Sequence, residues 1–182
     1  MEVNDFIYHV IINAFSKRGK LEEAFSYLNQ MIELGLTPSH FAISPIILYL
    51  SKVTDYLSLQ LLIRFQNPDK EYLDKVLTIT EQHKITLKVI ETTQLLEAAS
   101  RTSQFSLVER IWENMKKDNI KPNIFTISTL IEAAGEGKRS DKISQFWQSL
   151  EENSLKPNIE SFTAKMRAFL KCEQLDKVLI DL

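Results

Sequence analysis

The chain has 182 residues, of which 44% are hydrophobic and 25% are charged, and its 22 Lys+Arg are nearly balanced by 24 Asp+Glu. This composition is typical of a folded globular protein and excludes disordered and fibrous chains, while the net charge of -2 lacks the basic excess that marks many nucleic-acid binders. Four Gly and one Cys argue against turn-rich β folds and against a disulfide framework, so a helical protein is expected.

The N-terminal stretch MEVNDFIYHVIINAF contains acidic residues where a targeting segment would carry Lys or Arg. No uncharged apolar run approaches the roughly 20 residues that a membrane span needs, so no membrane partner is expected. Apolar periodicity is already present at residue 6 and continues to Leu182. The chain is therefore expected to be a fragment of a longer protein.

The first predicted element is a helical hairpin over 5–39. Apolar residues recur at helical spacing over 7–14, the string KRGK interrupts them, and the pattern resumes over 21–31. This arrangement predicts two helices, A and B, joined by a short turn.

The hairpin recurs along the chain. KPNIFT at 121–126 and KPNIES at 156–161 lie 35 residues apart, and LTPSHF at 36–41 fits the same place in an earlier repeat. Each Pro lies between two helical patterns, as expected of a residue that stops one helix and permits the next. The predicted repeats are 5–39, 89–123, 124–158 and a partial 159–182. Because one hairpin leaves an apolar face uncovered, we expect stacked repeats in an all-α, right-handed α-solenoid superhelix over 1–182.

The middle stretch, 40–88, holds one repeat and one extra helix's worth of residues. In one interpretation, 40–74 is a repeat followed by an insertion. In the other, which we prefer, 40–53 is a lone helix A and 54–88 is a degenerate hairpin with Pro68 at its turn. Loss of a loop from the sequence would produce the same spacing.

The 35-residue period, the string SKRGKLEEAFSYLNQMIELGLTPS and the recurrent ending M-x-x-x-x-I/L-x-P resemble the pentatricopeptide repeat family. Tetratricopeptide repeats are the nearest alternative, but their period is about 34 residues and their aromatic landmarks in helix A are missing here. The resemblance implies a binder of single-stranded RNA that uses one repeat per nucleotide. It also implies a role in organellar transcript stability, processing or translation, in the mitochondrion or alternatively the plastid.

In the family, each base is read by the fifth residue of a repeat and by its last residue. Carried over, these positions pair His9 with Ser39, Thr93 with Asn123, and Ser128 with Asn158, while Ser44 and Thr163 are fifth residues without an assigned partner. A small hydroxyl residue with Asn implies an adenine preference at repeats 89–123 and 124–158. Helix capping and turn formation are the alternative reason for Ser, Thr and Asn at these places.

The second residue of each repeat stacks on a base in the family. It is Phe6, Phe41, Ile90 and Phe125 here, and Glu160 interrupts the series because a carboxylate repels phosphate. The alternative, which is the more common case for apolar residues on a helix, is that Phe6, Phe41 and Phe125 are partly buried in the core.

A third row lies near the end of each helix A, where the family tends to have Lys close to the phosphates. It contains the cations Lys17, Lys52, Arg101 and Lys171, with Glu136 as the exception. The alternative is that cations stabilise helix C-termini.

No metal-ligand spacing, Gly-rich phosphate loop or other catalytic motif occurs, so no metal, no cofactor and no enzyme activity are expected in this chain. A nuclease domain, which some proteins with such repeats carry, would lie outside it. The alternative function, from a different class, is a structural or protein-binding scaffold in a ribonucleoprotein such as a mitochondrial ribosome.

Overall fold

The computed structural model describes residues 5–56, 68–102, 104–174 and 176, and it divides into an N-terminal unit (1–87) and a C-terminal unit (88–182). The described residues are helical, without a strand among them. The helices of the N-terminal unit are α1 (Asp5–Lys17), α2 (Leu21–Glu33), α3 (His40–Tyr56) and α4 (Pro68–Gln82). Those of the C-terminal unit are α5 (Val89–Arg101), α6 (Phe105–Lys117), α7 (Ile124–Glu136), α8 (Ser140–Glu152) and α9 (Ile159–Lys171).

Helices α1, α3, α5, α7 and α9 are A helices, and the other four are B helices. In the C-terminal unit the A helices begin at 89, 124 and 159, so the 35-residue spacing of the sequence is also the spacing of the helices. The all-α class predicted from the periodicity is confirmed among the described residues. None of these helices is long and apolar enough to cross a membrane.

Seven of the described helices end in tight turns that contain one residue with positive φ. Gly19 (φ 73°) and Gly35 (φ 74°) take this role after α1 and α2, as Gly does most easily. After α4, α6, α7, α8 and α9 the same conformation falls on non-glycine residues: Lys84, Asn119, Lys138, Ser154 and Glu173. After α2, for example, the Leu36 N–H donates to the Met31 carbonyl at 3.1 Å and closes the turn.

Each unit has its own core. In the N-terminal unit, fully buried aliphatic residues come from all four helices, among them Ile12, Leu28, Ile46 and Leu73. In the C-terminal unit, the core includes Leu95, Ile111, Leu130, Phe146 and Phe169. Both A and B helices therefore bury one apolar stripe, which is what stabilises stacked hairpins.

The stretch 40–88 contains α3, which continues to Tyr56, and α4, which begins at Pro68. Proline is well suited to the first position of a helix because its missing N–H has no partner there. The choice between the two interpretations of this stretch depends on 57–67, which lie outside the described residues. The division into repeats remains a prediction.

Candidate nucleic-acid interface

The second residue of four A helices is a large apolar side chain that stays out of the core. Phe6 is 67% exposed, Phe41 62%, Ile90 65% and Phe125 60%. The alternative that Phe6, Phe41 and Phe125 are partly buried in the core is therefore not supported, since all three rings are mostly exposed. Phe6 and Phe41 give the N-terminal unit two exposed phenyl rings, and Ile90 and Phe125 give the C-terminal unit one aliphatic and one aromatic face.

In the N-terminal unit the predicted pair His9 and Ser39 is in contact. The Ser39 hydroxyl lies 3.4 Å from Nε2 of His9, and its Oγ also accepts from the Phe41 N–H at 3.3 Å. The rings of His9 and Phe41 have their centroids 6.4 Å apart. A polar pair and an exposed ring therefore lie side by side at the start of α1 and α3.

The predicted pair Thr93 and Asn123 is joined through a third residue, Thr126. The Thr93 and Thr126 hydroxyls lie 2.8 Å apart, and Oδ1 of Asn123 accepts from the Thr126 N–H at 2.9 Å. The Thr126 hydroxyl also donates to this Oδ1, at 3.0 Å. Asn123 is thus the N-cap of α7, as the capping alternative anticipated.

The predicted pair Ser128 and Asn158 is not joined by a hydrogen bond. Asn158 caps α9 through an Oδ1 bond from the Ser161 N–H at 2.9 Å. Ser128 is half-buried on α7. Its hydroxyl makes no hydrogen bond to another described residue, so it is available to a ligand.

The other fifth residues behave alike. Ser44 donates to the His40 carbonyl at 2.6 Å, and Thr163 donates to the Ile159 carbonyl at 2.7 Å. Oγ1 of Thr93 likewise lies within 2.8 Å of the Val89 carbonyl, but it is equally close to the Thr126 hydroxyl. A hydroxyl bound to the carbonyl four residues back has donated its proton, so it meets a ligand mainly as an acceptor.

Sequence reasoning missed Thr126 and Ser161, both fully buried. Each is the third residue of an A helix and closes a reciprocal capping arrangement with the Asn before the helix. The sequence does contain a signal for these caps, because N-x-x-T in KPNIFT and N-x-x-S in KPNIES have capping-box spacing.

All four predicted phosphate-contacting cations, Lys17, Lys52, Arg101 and Lys171, have exposed side chains. Lys171 forms an ion pair with Glu136, the exception in the row. Both side chains of this pair are 46% exposed, so the charges stay in contact with solvent.

In the C-terminal unit, α5, α7 and α9 enclose a groove of about 390 Å³. Three carboxylates and three cations line it: Glu97, Glu132, Glu136, Arg101, Arg167 and Lys171. The groove is therefore mixed in charge, unlike a purely basic RNA channel. No cluster of three or more His, Cys, Asp or Glu side chains among the described residues could hold a metal ion.

Family models match two parts of the chain. The pentatricopeptide repeat domain model matches residues 75–137, and the PPR repeat model matches 6–36. Together the matches span more than half of the 182 residues. The chain belongs to the pentatricopeptide repeat family. The resemblance predicted from its sequence is confirmed.

Solved structures of other pentatricopeptide repeat proteins share the helical-repeat solenoid fold. The PPR domain of Arabidopsis thaliana protein-only RNase P 1, in complex with tRNA, matches 92% of this chain over 81% of its own length, with 16% identity and a TM-score of 0.64. A second match is PPR10 in complex with an 18-nt psaJ RNA element, with 16% identity, a TM-score of 0.56, and coverage of 98% of this chain and 29% of that one.

A third match is nuclear proteinaceous RNase P 2 from A. thaliana, with 13% identity and a TM-score of 0.71. It covers 94% of this chain, but this chain spans only 36% of its length. At these identities the likeness shows the fold. No curated protein sequence matches the chain.

Proposed function

We propose that this pentatricopeptide repeat protein binds single-stranded RNA along its A helices. The observation that carries the proposal is the exposure of Phe6, Phe41 and Phe125, which occupy equivalent helix positions and are 67%, 62% and 60% exposed. An exposed phenyl ring costs hydration free energy, whereas stacking a base on it is worth about 1–3 kcal/mol. The RNA complexes of similar folds, with tRNA and with the psaJ element, support this choice of ligand.

The contacts of each predicted reader pair indicate how a base would be recognised. Oδ1 of Asn123 and of Asn158 faces the N–H groups of the following helix, so each Nδ2 is the group left to donate to a base. The hydroxyls of Thr93 and Ser128 add an acceptor beside this donor. Adenine offers an amino group next to a ring nitrogen on both of its hydrogen-bonding edges, which supports an adenine preference at repeats 89–123 and 124–158.

The family resemblance supports a proposal for the cellular role. We propose that the protein acts in organellar RNA metabolism, in transcript stability, processing or translation, in the mitochondrion with the plastid as the alternative. Catalysis is not assigned to this chain. A nuclease domain, if the whole protein has one, would be a separate fold.

The direct test measures RNA affinity of Phe6→Ala and Phe125→Ala by fluorescence anisotropy. Each substitution should weaken binding of a short single-stranded RNA containing an AA step by about 5- to 100-fold, because one stacking contact is lost. Since both rings are exposed, thermal stability should change little.

The matched control is Leu34→Ala, because Leu34 is 63% exposed but follows helix B rather than beginning helix A. It should leave RNA affinity unchanged. Replacing the AA step by UU tests the base preference, and equal binding of both RNAs at low salt would contradict it. Absence of binding to either RNA would contradict RNA binding by this chain.

A second candidate function is the protein-binding scaffold of a ribonucleoprotein. The mixed charge of the groove in the C-terminal unit favours it, because Glu97, Glu132 and Glu136 repel phosphate but suit a partner with charges of both signs. If the protein is such a scaffold, we expect it to bind neither the AA-containing RNA nor the UU-containing RNA.

A further inference from the structure

We propose that Thr126 is a positioning residue that fixes the orientation of the Asn123 side-chain amide and thereby sharpens base discrimination by repeat 89–123. The inference rests on the proposed RNA binding, which makes Asn123 a base-reading residue. Thr126 itself would not touch RNA, because it is fully buried.

Hydrogen bonds from Thr126 hold the Asn123 side-chain amide at its oxygen end. Oδ1 of Asn123 faces both the N–H of Thr126, at 2.9 Å, and its hydroxyl, at 3.0 Å. Oγ1 of Thr126 in turn accepts from the Asn123 main-chain N–H at 3.3 Å. These contacts occupy the carbonyl end of the amide. Nδ2 of Asn123 has no acceptor among the described residues, so its two protons are the ones available to a ligand.

The count of hydroxyl protons shows what Thr93 can offer. Its single proton has two protein acceptors in reach, the Val89 carbonyl at 2.8 Å and Oγ1 of Thr126 at 2.8 Å. Since Thr126 donates its own proton to Oδ1 of Asn123, the contact between the two hydroxyls needs the proton of Thr93, and Thr93 then retains only lone pairs for a ligand. It is also only 8% exposed, so the pair's accessible donor is Nδ2 of Asn123.

The neighbouring repeat provides a natural comparison. Ser161 occupies the place of Thr126, but its hydroxyl donates to the main-chain carbonyl of Asn158 at 2.9 Å rather than to Oδ1. Oδ1 of Asn158 therefore has one bond, from the Ser161 N–H. The Asn158 amide is held less firmly than that of Asn123. Discrimination should accordingly be stricter at repeat 89–123 than at 124–158.

An amide fixed with its NH2 group toward the base donates to an unprotonated ring nitrogen, such as N1 of adenine, and disfavours a protonated ring nitrogen in the same place. Guanine differs from adenine by carrying N1–H instead of an unprotonated N1 and O6 instead of an amino group. A rotating amide could present Oδ1 to guanine and recover a bond. The orientation imposed by Thr126 is therefore what would separate adenine from guanine.

The test uses short oligoadenylates in which one guanosine is moved stepwise along the strand. For the unsubstituted protein, we expect one placement of the guanosine to weaken binding by about 10-fold or more. Thr126→Val keeps the shape but removes the hydroxyl, and it should reduce that discrimination to about 3-fold or less while oligoadenylate affinity falls little. Thr126→Ser should retain the discrimination, and Ser161→Ala is the matched control that leaves it unchanged.

A measurement without RNA accompanies the binding data. The side-chain amide ¹H–¹⁵N signals of Asn123 should shift in Thr126→Val and stay nearly in place in Thr126→Ser. Discrimination that persists unchanged in a folded Thr126→Val protein would overturn the proposal, as would unchanged Asn123 signals. If the unsubstituted protein binds no RNA, the proposed function fails separately, and the amide signals still decide whether Thr126 orients Asn123.

A second variant covers the case in which Thr126→Val does not fold. Asn123→Asp keeps a good N-cap but has no side-chain donor. It should lose preference for adenine at the same position of the strand. Retained adenine preference in Asn123→Asp would overturn the role of Nδ2 and with it the proposal.

Discussion

The two units build the same helix A surface but hold it in different ways. In the N-terminal unit, the third residue of α3 is Ala42, which has no hydroxyl, and the Ser39 hydroxyl lies 3.4 Å from Nε2 of His9. In the C-terminal unit, Asn123 caps α7 and is tied to the hydroxyl of Thr126. In the C-terminal unit, Asn123, which would read a base, thus also stabilises a helix. In the N-terminal unit, the contacts of Ser39 are longer and weaker.

The A helices also pack differently. At the twelfth position, α1 has Ser16, whose buried hydroxyl donates to the Ile12 carbonyl at 2.7 Å. At the same position α7 has Gly135, where a Cβ would lie 2.6 Å from Cα of Ala168. Helices α7 and α9 therefore approach backbone to backbone. The C-terminal unit therefore couples its proposed ligand surface to its stability more tightly than the N-terminal unit does.

The strongest test of this comparison places the same residue at the same helix position in both units. Gly135→Ala should reduce the free energy of unfolding of the C-terminal unit by about 1–3 kcal/mol, because the added methyl group meets backbone that cannot move aside. Ser16→Ala should cost less than about 1 kcal/mol, since it removes only a hydroxyl bound within its own helix. Urea denaturation of both variants measures the difference. Equal stability of Gly135→Ala and the unsubstituted protein would show that α7 and α9 are not in close contact.

A smaller effect is expected from the capping residues. Asn123→Ala should cost about 1 kcal/mol, because the first turn of α7 loses its side-chain acceptor. Ser39→Ala should cost less than about 0.5 kcal/mol, since its bonds to Phe41 and His9 are 3.3 and 3.4 Å long.

Hydrogen exchange gives a local readout of the same comparison. The Thr126 N–H donates to Oδ1 of Asn123, so its amide proton should exchange faster in Asn123→Ala. The Phe41 N–H should change little in Ser39→Ala. Similar losses of stability in the two variants would remove the distinction between the units.

The sequence predicts the helices well because their signals are local or strictly periodic. The apolar spacing over 7–14 and 21–31, together with the 35-residue period, locates α1, α2 and the A helices of the C-terminal unit. The exposure of Phe6, Phe41 and Phe125 could not be predicted in this way. Helical periodicity indicates which residues share a face, but not whether a neighbouring helix covers the first turn.

The polar contacts also differ in whether the sequence predicts them: local ones can be predicted, and those between distant residues cannot. The caps made by Asn123 and Asn158 depend on residues three positions apart, so the sequence contains them. The contact between Thr93 and Thr126 joins residues 33 positions apart and depends on how α5 and α7 pack. The pair of Glu136 and Lys171 is an intermediate case, since both occupy the same position in successive repeats and opposite charges there favour contact.

This ion pair gives the smallest of the predicted effects, and it concerns the electrostatic difference between the units. Glu136→Gln removes the carboxylate that holds Lys171 and one of the three carboxylates in the groove. Because about 0.7 counterions are released per contacted phosphate of a single strand, the slope of log affinity against log salt should steepen by up to about 0.7. Affinity at low salt should rise, and stability should change by less than about 1 kcal/mol, because both partners are half exposed.

The matched control is Glu113→Gln, which breaks a comparable exposed pair with Lys116 on helix B. If RNA lies along the A helices, only Glu136→Gln should steepen the salt dependence. An equal change in both variants would mean that net charge alone governs binding. No change in either would mean that Lys171 does not reach phosphate, and electrostatic attraction to RNA would then depend on the other cations of the row.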